Sequence, residues 1–433
     1  MATTTAKKKG IHFAWFVLIG VLLMMGLCRG GINSGMGLFF QPISADMHIG
    51  VGEVAMMSSI SALITMFWSP FAGRLLDKFD IRIITVVAVA IQAGCFAALS
   101  LVDAVWGFYA LAGIMAFGSV FATQLVGPMM INRWFKDKNG LAMGIMMSFV
   151  AICSAVLSPV VASIIASNGW RMGYIVLGVL ALVIVIPAVL IWFRTPEQKG
   201  QLPLGATEAD IEAAKNADPK AAAEAAKNLP GLTSKQALKT PTFWFWFFFI
   251  FMVLLTGTLA FASIVPTLAI EAGFDTVTSG FAMTAYMIGT AIAAVVFGTI
   301  SDKLGPLKAT MVACACGFIA LLGLIFFRTN LYMFFGSLFF YGCLSATLGV
   351  IGPLVLGTLF GQKEFGSIYG IVMMATGIGS MILIPAYGFI YDATGSFTPA
   401  LIMIFCFIVV CLISMIMAFK TGKKVQAMWM PKA

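Results

Sequence analysis

The chain has 433 residues, of which 61% are hydrophobic and only 10% charged; its mean hydropathy is +1.02. No soluble domain of this length can cover its surface with so few charges, so the composition is that of a polytopic membrane protein. The net charge of +9 does not imply a nucleic-acid partner, because the basic residues lie in the connections between apolar spans.

A spanning helix needs about 20 apolar residues. Twelve candidates follow one another at 12–40, 52–76, 83–102, 105–132, 140–166, 172–193, 242–270, 277–300, 307–327, 331–359, 365–391 and 398–419. Lys7, Lys8 and Lys9 precede a first apolar stretch far longer than a signal-peptide core, which reads as a retained first helix. Deep inside that stretch sits Arg29, the only charged side chain so placed in any of the apolar segments. A central Arg costs roughly 2.5–3.5 kcal/mol on insertion scales unless it faces protein or water. An anion to be carried across the membrane is one candidate for what justifies that cost.

With the N-terminus in the cytoplasm, 23 of the 26 Lys and Arg residues fall on the cytoplasmic side, and only Arg171 and Arg328 on the other. The positive-inside rule then places the protein in the cytoplasmic (inner) membrane with both termini inside. All eight cysteines lie in apolar spans and read as small packing residues. Cys314 and Cys316 have no neighbouring ligands for a metal.

Residues 195–240 form a polar interlude rich in Ala, Lys and Glu between spans six and seven. They divide the chain into an N-terminal six-helix unit (1–194), a linker (195–240) and a C-terminal six-helix unit (241–433). Thr207-Glu208-Ala209-Asp210 is a pattern that caps a short amphipathic helix running towards Asn228.

The two units repeat one another. Gly73 and Asp77 match Gly298 and Asp302 at an offset of 225, as Gly127-Pro128 matches Gly352-Pro353 and Phe135 matches Phe360. Gly144 matches Gly370 and Pro159 matches Pro385 at 226, and Pro42 matches Pro266 at 224. Two parallel six-helix repeats are an arrangement that supports alternating access around a midplane site.

Gly73-Arg74-Leu75-Leu76-Asp77-Lys78-Phe79-Asp80-Ile81-Arg82 resembles the signature between helices two and three of the major facilitator superfamily, and Gly298-Thr299-Ile300-Ser301-Asp302-Lys303-Leu304-Gly305-Pro306-Leu307-Lys308 is its second copy. Asp80 stands where a second Gly is usual. The resemblance implies an all-α fold of twelve transmembrane helices in two pseudo-symmetric bundles, acting as a monomer without cofactor or metal. At Gly73 two helices can approach closely. Asp77 is expected near the start of helix eleven, where a carboxylate complements the positive helix end, with Lys78 or Arg82 as its partner. Asp302 repeats this arrangement, and such contacts latch the halves shut on the inside; the plainer reading is headgroup anchoring.

Arg133-Trp134-Phe135-Lys136-Asp137-Lys138-Asn139-Gly140-Leu141-Ala142-Met143-Gly144 is similar to the segment leading into helix five of the monocarboxylate porters and oxalate/formate antiporters. That resemblance implies a small organic anion such as lactate, pyruvate, formate or oxalate as substrate, with a proton or counter-anion as coupling partner. The chain departs from it in two places. Gly26-Leu27-Cys28-Arg29-Gly30-Gly31 contains no acid, and helices eight and eleven carry no base at depth.

Arg29 lies about 24 Å along the first helix from Phe13 at 1.5 Å per residue, and Asn33 follows on the same face. The resemblance makes helices 1, 4, 7 and 10 line the cavity, helped by 2, 5, 8 and 11. Thr123 and Gln124, Thr256 and Thr258, Tyr286, Tyr341 and Ser345 fall near the same depth. The planar fork of Arg29 suits a carboxylate, and Asn33, Gln124, Tyr286, Tyr341 and Ser345 are the candidates to complete the site. The competing readings are structural: Arg29 bonding backbone carbonyls near Gly30 and Gly31 or snorkelling outward, and the others joining helix to helix. With no Asp or Glu inside a span, and His12 and His48 at span ends, anion exchange or facilitated diffusion is favoured over a fixed proton relay. An exporter of hydrophobic or amphipathic compounds and an anion sensor signalling through 195–240 are the alternatives. The chain shows no nucleophile–base pair or metal cluster, so an enzyme is not expected.

Overall fold

The computed structural model describes residues 12–206, 230–256, 261, 265, 268–269, 271–274 and 276–429. The helix expected after Thr207 and the residues Thr258 and Pro266 lie outside them.

Twelve long helices follow in chain order: α1 (Phe13–Phe39, continued by Phe40–Met47), α2 (Val51–Lys78), α3 (Ile81–Leu101), α4 (Val105–Trp134), α5 (Asn139–Asn168), α6 (Trp170–Trp192), α7 (Pro241–Leu255), α8 (Thr276–Leu304), α9 (Pro306–Phe326), α10 (Leu331–Phe360), α11 (Phe365–Thr394) and α12 (Thr398–Gln426). Among the described residues nine of these are long and apolar enough to cross a membrane. The others are α2, a 28-residue helix carrying Glu53, Asp77 and several serines, and the two whose apolar described stretches are shorter, α7 and α11.

Local chemistry ends each helix where the chain must reverse. Asp80 caps α3 by accepting from the Arg82 backbone N–H at 2.8 Å. Its φ of −61° needs no glycine, so the Asp that departs from the family signature serves as an N-cap instead. In the second copy Gly305 takes φ +87°, a conformation that favours glycine, and Pro306 opens α9. Thr240 caps α7 and Asn330 caps α10 in the same way as Asp80.

Within the first half α3 packs on α6 and α4, and α2 on α4; within the second α8 and α9 pack on α10, and α7 on α12. The halves meet mainly through α2 against α11 and α5 against α8. That seam lies on the face where α1 begins and α12 ends, here called the basic face. Along α5 the buried residues run from Gly140 to Val150, and beyond them only Val161 is fully buried.

The ends of the linker are tied to equivalent loops of the two halves. Leu204 donates its N–H to the Trp134 carbonyl and accepts from Lys136 and Asp137 in the α4–α5 loop. Leu232 donates to the Phe360 carbonyl, and the Pro230 carbonyl accepts from Gln362 in the α10–α11 loop. Glu364 adds bonds of 2.7 Å from both the N–H and hydroxyl of Ser234, at the start of the short helix Ser234–Leu238.

Candidate functional site

The first helix does not stay α-helical around its buried cation. From Gly26 to Asn33 it widens to a π-helix, and α4 does the same from Phe121 to Leu125. The two widened segments touch. Glycines make the first possible: a Cβ on Gly30 would sit 2.6 Å from the Val150 carbonyl oxygen of α5. A π segment inserts a residue and offsets the carbonyls from their usual partners, which is why such segments recur at functional sites. Here the Thr123 carbonyl accepts 3.1 Å from Arg29 Nη1. The backbone partner of Arg29 therefore comes from α4, not from the glycines beside it.

Asn33, exposed on α1, joins a short polar chain. Its Nδ2 donates to the Ser119 hydroxyl at 3.2 Å, and its Oδ1 accepts from Gln92 Nε2 at 3.1 Å. Gln92 also donates to the Cys28 carbonyl at 3.3 Å, one residue before Arg29. Gly118 permits this approach, since a Cβ there would meet the Ala88 carbonyl oxygen at 2.3 Å. Gln92 is fully buried and is not among the residues expected from sequence. A signal for it exists: a lone amide in the apolar α3 needs partners.

The remaining expected residues divide. Gln124 lies in the α4 π segment, with its buried Oε1 unpartnered among the described residues. Tyr286 and Ser345 are hydrogen-bonded to each other at 2.7 Å, and the Tyr341 hydroxyl donates to the Thr256 carbonyl. Phe261 stacks on Tyr341 with centroids 3.8 Å apart. This cluster ties α7, α8 and α10 together, and none of its members is hydrogen-bonded to Arg29. The second half reaches Arg29 by another residue, Tyr369 of α11, whose hydroxyl is close enough for a direct electrostatic interaction.

On the basic face the two signature copies form equivalent junctions. Asp77 accepts from the N–H groups of Gly366 (3.1 Å) and Ser367 (2.8 Å) and from the Ser367 hydroxyl (2.5 Å), at the first turn of α11. Asp302 accepts from Gly140 (2.6 Å) and Leu141 (2.8 Å), at the first turn of α5. Both carboxylates sit at positive helix ends, where backbone donors have no partner within the helix. Backbones close around them. A Cβ on Gly73 would lie 2.0 Å from the Gly366 oxygen, and one on Gly298 2.0 Å from the Gly140 oxygen. The expected partners of Asp77 need correction. Arg82 reaches away to donate to the Phe193 carbonyl at 3.2 Å, and Lys78 forms no ion pair among the described residues. The cation acting on Asp77 is Arg133, at the end of α4.

The opposite face has its own pair of clasps. Asp46 accepts from Trp170 (3.0 Å) and Arg171 (3.1 Å), and Arg171 also holds Asp103 at 2.6 Å. Positions 46, 103 and 171 recur 225 residues later as Glu271, Arg328 and Ser396. There Glu271 accepts from Arg328 (2.8 Å), the Ser396 hydroxyl (2.6 Å) and the Phe397 N–H (3.1 Å). The architecture is kept while the cation moves from the third position to the second. It also accounts for Arg171 and Arg328, the two cations on the sparsely charged face: each is held by carboxylates.

The sequence pattern of the Major Facilitator Superfamily matches residues 21–327 and 248–427, nearly the whole chain. The protein belongs to the Major Facilitator Superfamily. Among curated relatives of this facilitator is the oxalate:formate antiporter of Oxalobacter formigenes, 24% identical over 81% of this chain and 80% of the relative. Monocarboxylate transporter 12 of Xenopus laevis is 21% identical over 96% of this chain and 93% of its own. The fold is shared with the proton:xylose symporter XylE, at TM-score 0.67 and 14% identity over 96% of this chain and 98% of that one. The chain is therefore a multi-pass membrane protein with the facilitator fold of two six-helix halves.

Proposed function

We propose that this protein moves a small organic anion across the cytoplasmic membrane by alternating access, with Arg29 as the anchor for the carboxylate. One observation carries this reading. The Arg29 guanidinium lies at depth, has one backbone carbonyl as hydrogen-bond partner, and is paired with no carboxylate among the described residues. An arginine has five N–H donors, and leaving a charge uncompensated in low dielectric is costly, so an anion that arrives and leaves supplies what the fold withholds. Asn33, Gln92 and Ser119 hold the π segment around it. Tyr286, Tyr341, Ser345 and Gln124 form the surrounding walls.

A single fixed positive charge favours a monoanion, because a dianion would leave one negative charge unbalanced at the site. Monocarboxylates such as lactate, pyruvate or formate fit that balance better than oxalate, and the names of the curated relatives span both kinds. The basic face is read as cytoplasmic. The Asp77 and Asp302 junctions then close the inside, with the site open to the outside. Because the spans carry no acid at depth, the reading favours exchange or facilitated diffusion, or a proton carried on the substrate itself.

The test is uptake of labelled lactate, formate and oxalate into proteoliposomes, after a thermal-shift screen of small mono- and dicarboxylates on purified protein. Wild type is expected to take up at least one, and Arg29→Ala to lose that uptake. Retained uptake in Arg29→Ala sinks the anchor. Stimulation by unlabelled internal anion identifies exchange, and collapse with a proton ionophore identifies coupling to protons.

A further inference from the structure

Two hydrogen donors from different halves face each other at the depth of Arg29. The guanidinium of Arg29 comes from α1 and the phenol of Tyr369 from α11, and the charge of the first acts on the second. No hydrogen bond joins them, and Tyr369 makes none to any other group among the described residues, although only 4% of its surface is exposed. The other buried tyrosines of the second half have spent their hydroxyls: Tyr286 on Ser345, Tyr341 on the Thr256 carbonyl, Tyr387 on the Leu255 carbonyl. An unused phenol beside an unpaired guanidinium lacks one thing, an acceptor between them.

The position of Tyr369 on α11 adds a second observation. It lies two residues beyond Ser367, whose N–H and hydroxyl are gripped by Asp77. Its neighbour Gly370 is pressed so close to α2 that a Cβ would lie 2.4 Å from the Ser69 oxygen. The same helix touches the π segment of α4 that supplies the carbonyl bound by Arg29. Tyr369 is thus fixed at one end to the seam that closes the basic face and at the other to the surroundings of the cation.

We propose that Tyr369 is the second half's ligand for the transported anion, its hydroxyl donating to the carboxylate that Arg29 holds, so that bound substrate bridges α1 and α11 next to the Asp77 junction. This assignment rests on the anion-anchor reading of Arg29. A carboxylate oxygen placed between the groups accepts from both without displacing the Thr123 carbonyl, since the guanidinium has further N–H groups. It makes selectivity depend on both halves: a ligand reaching only Arg29 loads the first half alone.

Purified full-length protein is titrated with formate, lactate and oxalate while thermal unfolding is followed, for wild type, Arg29→Ala, Tyr369→Phe, Tyr369→His and Arg29→Ala/Tyr369→Phe. A hydrogen bond to a charged group corresponds to about a ten- to hundredfold change in affinity. Tyr369→Phe is expected to weaken the best-binding anion by that factor while leaving the melting temperature of unliganded protein unchanged. Tyr369→His, which keeps a ring donor, is expected to bind better than Tyr369→Phe, and the double variant no worse than Arg29→Ala alone. If none of the three anions binds wild type, or Arg29→Ala binds as wild type does, the anion reading of the site fails. If Arg29→Ala loses binding and Tyr369→Phe does not, only the assignment of Tyr369 is overturned. That assignment also falls if Tyr369→His binds no better than Tyr369→Phe.

Discussion

Asp77 holds Ser367 twice, through its backbone N–H at 2.8 Å and its hydroxyl at 2.5 Å, across the seam between the two halves of the molecule. Asp302 makes the equivalent contact with Gly140 and Leu141, so the basic face is closed by two copies of one device. Each copy joins a carboxylate at the end of one helix to free donors at the start of another, and each can be released without unfolding either half. That combination suits a joint that must open in every transport cycle.

Removing the charge should loosen each joint separately. In Asp77→Asn, amide hydrogen exchange is expected to rise at Gly366 and Ser367 but not at Gly140 and Leu141; Asp302→Asn reverses the pattern. The loss is about 1–3 kcal/mol per joint, the scale of leaving partly buried donors poorly satisfied. Uniform exchange at both joints in either variant would contradict independent junctions.

The glycine contacts admit no side chain. Gly298→Ala is expected to destabilise the closed seam by about 1–3 kcal/mol through overpacking against the Gly140 backbone. Gly94→Ala, where no neighbour lies within 4 Å of an added Cβ, is the control and should melt as wild type or slightly higher. Melting temperatures in detergent decide the comparison.

The two clasps on the opposite face differ in burial. Arg328 and Glu271 have side chains 27% and 11% exposed, so Arg328→Ala should cost about 2–4 kcal/mol, between exposed and buried pairs. Arg171 is 45% exposed, and Arg171→Ala should cost about 0–1 kcal/mol, with a small further loss from its stacking at 4.3 Å over Trp170. Thermal denaturation at low and high salt tests this ordering, and the Arg171 contribution should be the one that salt removes.

Gln92 is the interior amide with most to lose. Gln92→Leu leaves the Cys28 carbonyl and Asn33 without their donor, an expected cost of about 1–3 kcal/mol in stability. Because both bonds brace the π segment that presents Arg29, carboxylate affinity should fall in the same variant. A thermal-shift titration with lactate and formate reads both effects, and an affinity equal to wild type would show that the brace does not position the cation.

Several elements are legible in the sequence. Twelve apolar spans, the 225-residue repeat and the isolation of Arg29 are visible because each depends on composition or on residues close in sequence. The place of Asp77 at the start of the eleventh helix is legible too, because a Gly and a carboxylate one turn apart have few other uses at a span end. Its cation is not: Arg82 is near in sequence, yet it reaches the Phe193 carbonyl, and Arg133 approaches Asp77 from another helix. Tyr286, Tyr341 and Ser345 are grouped by depth alone, and depth does not say which way a side chain turns. The structure shows them bonded to one another and to the α7 backbone.

The sequence by itself determined that this is a two-fold repeated membrane protein with one unpaired cation at depth, because the bilayer reads hydropathy and charge locally. Only the tertiary structure decided what surrounds that cation. The π segments of α1 and α4, the Thr123 carbonyl, the Gln92 brace and the facing Tyr369 come from residues up to 340 positions apart in the chain. Their meeting depends on how closely glycine-lined helices pack, and pairwise approach across a bundle leaves no mark in the composition of any single helix.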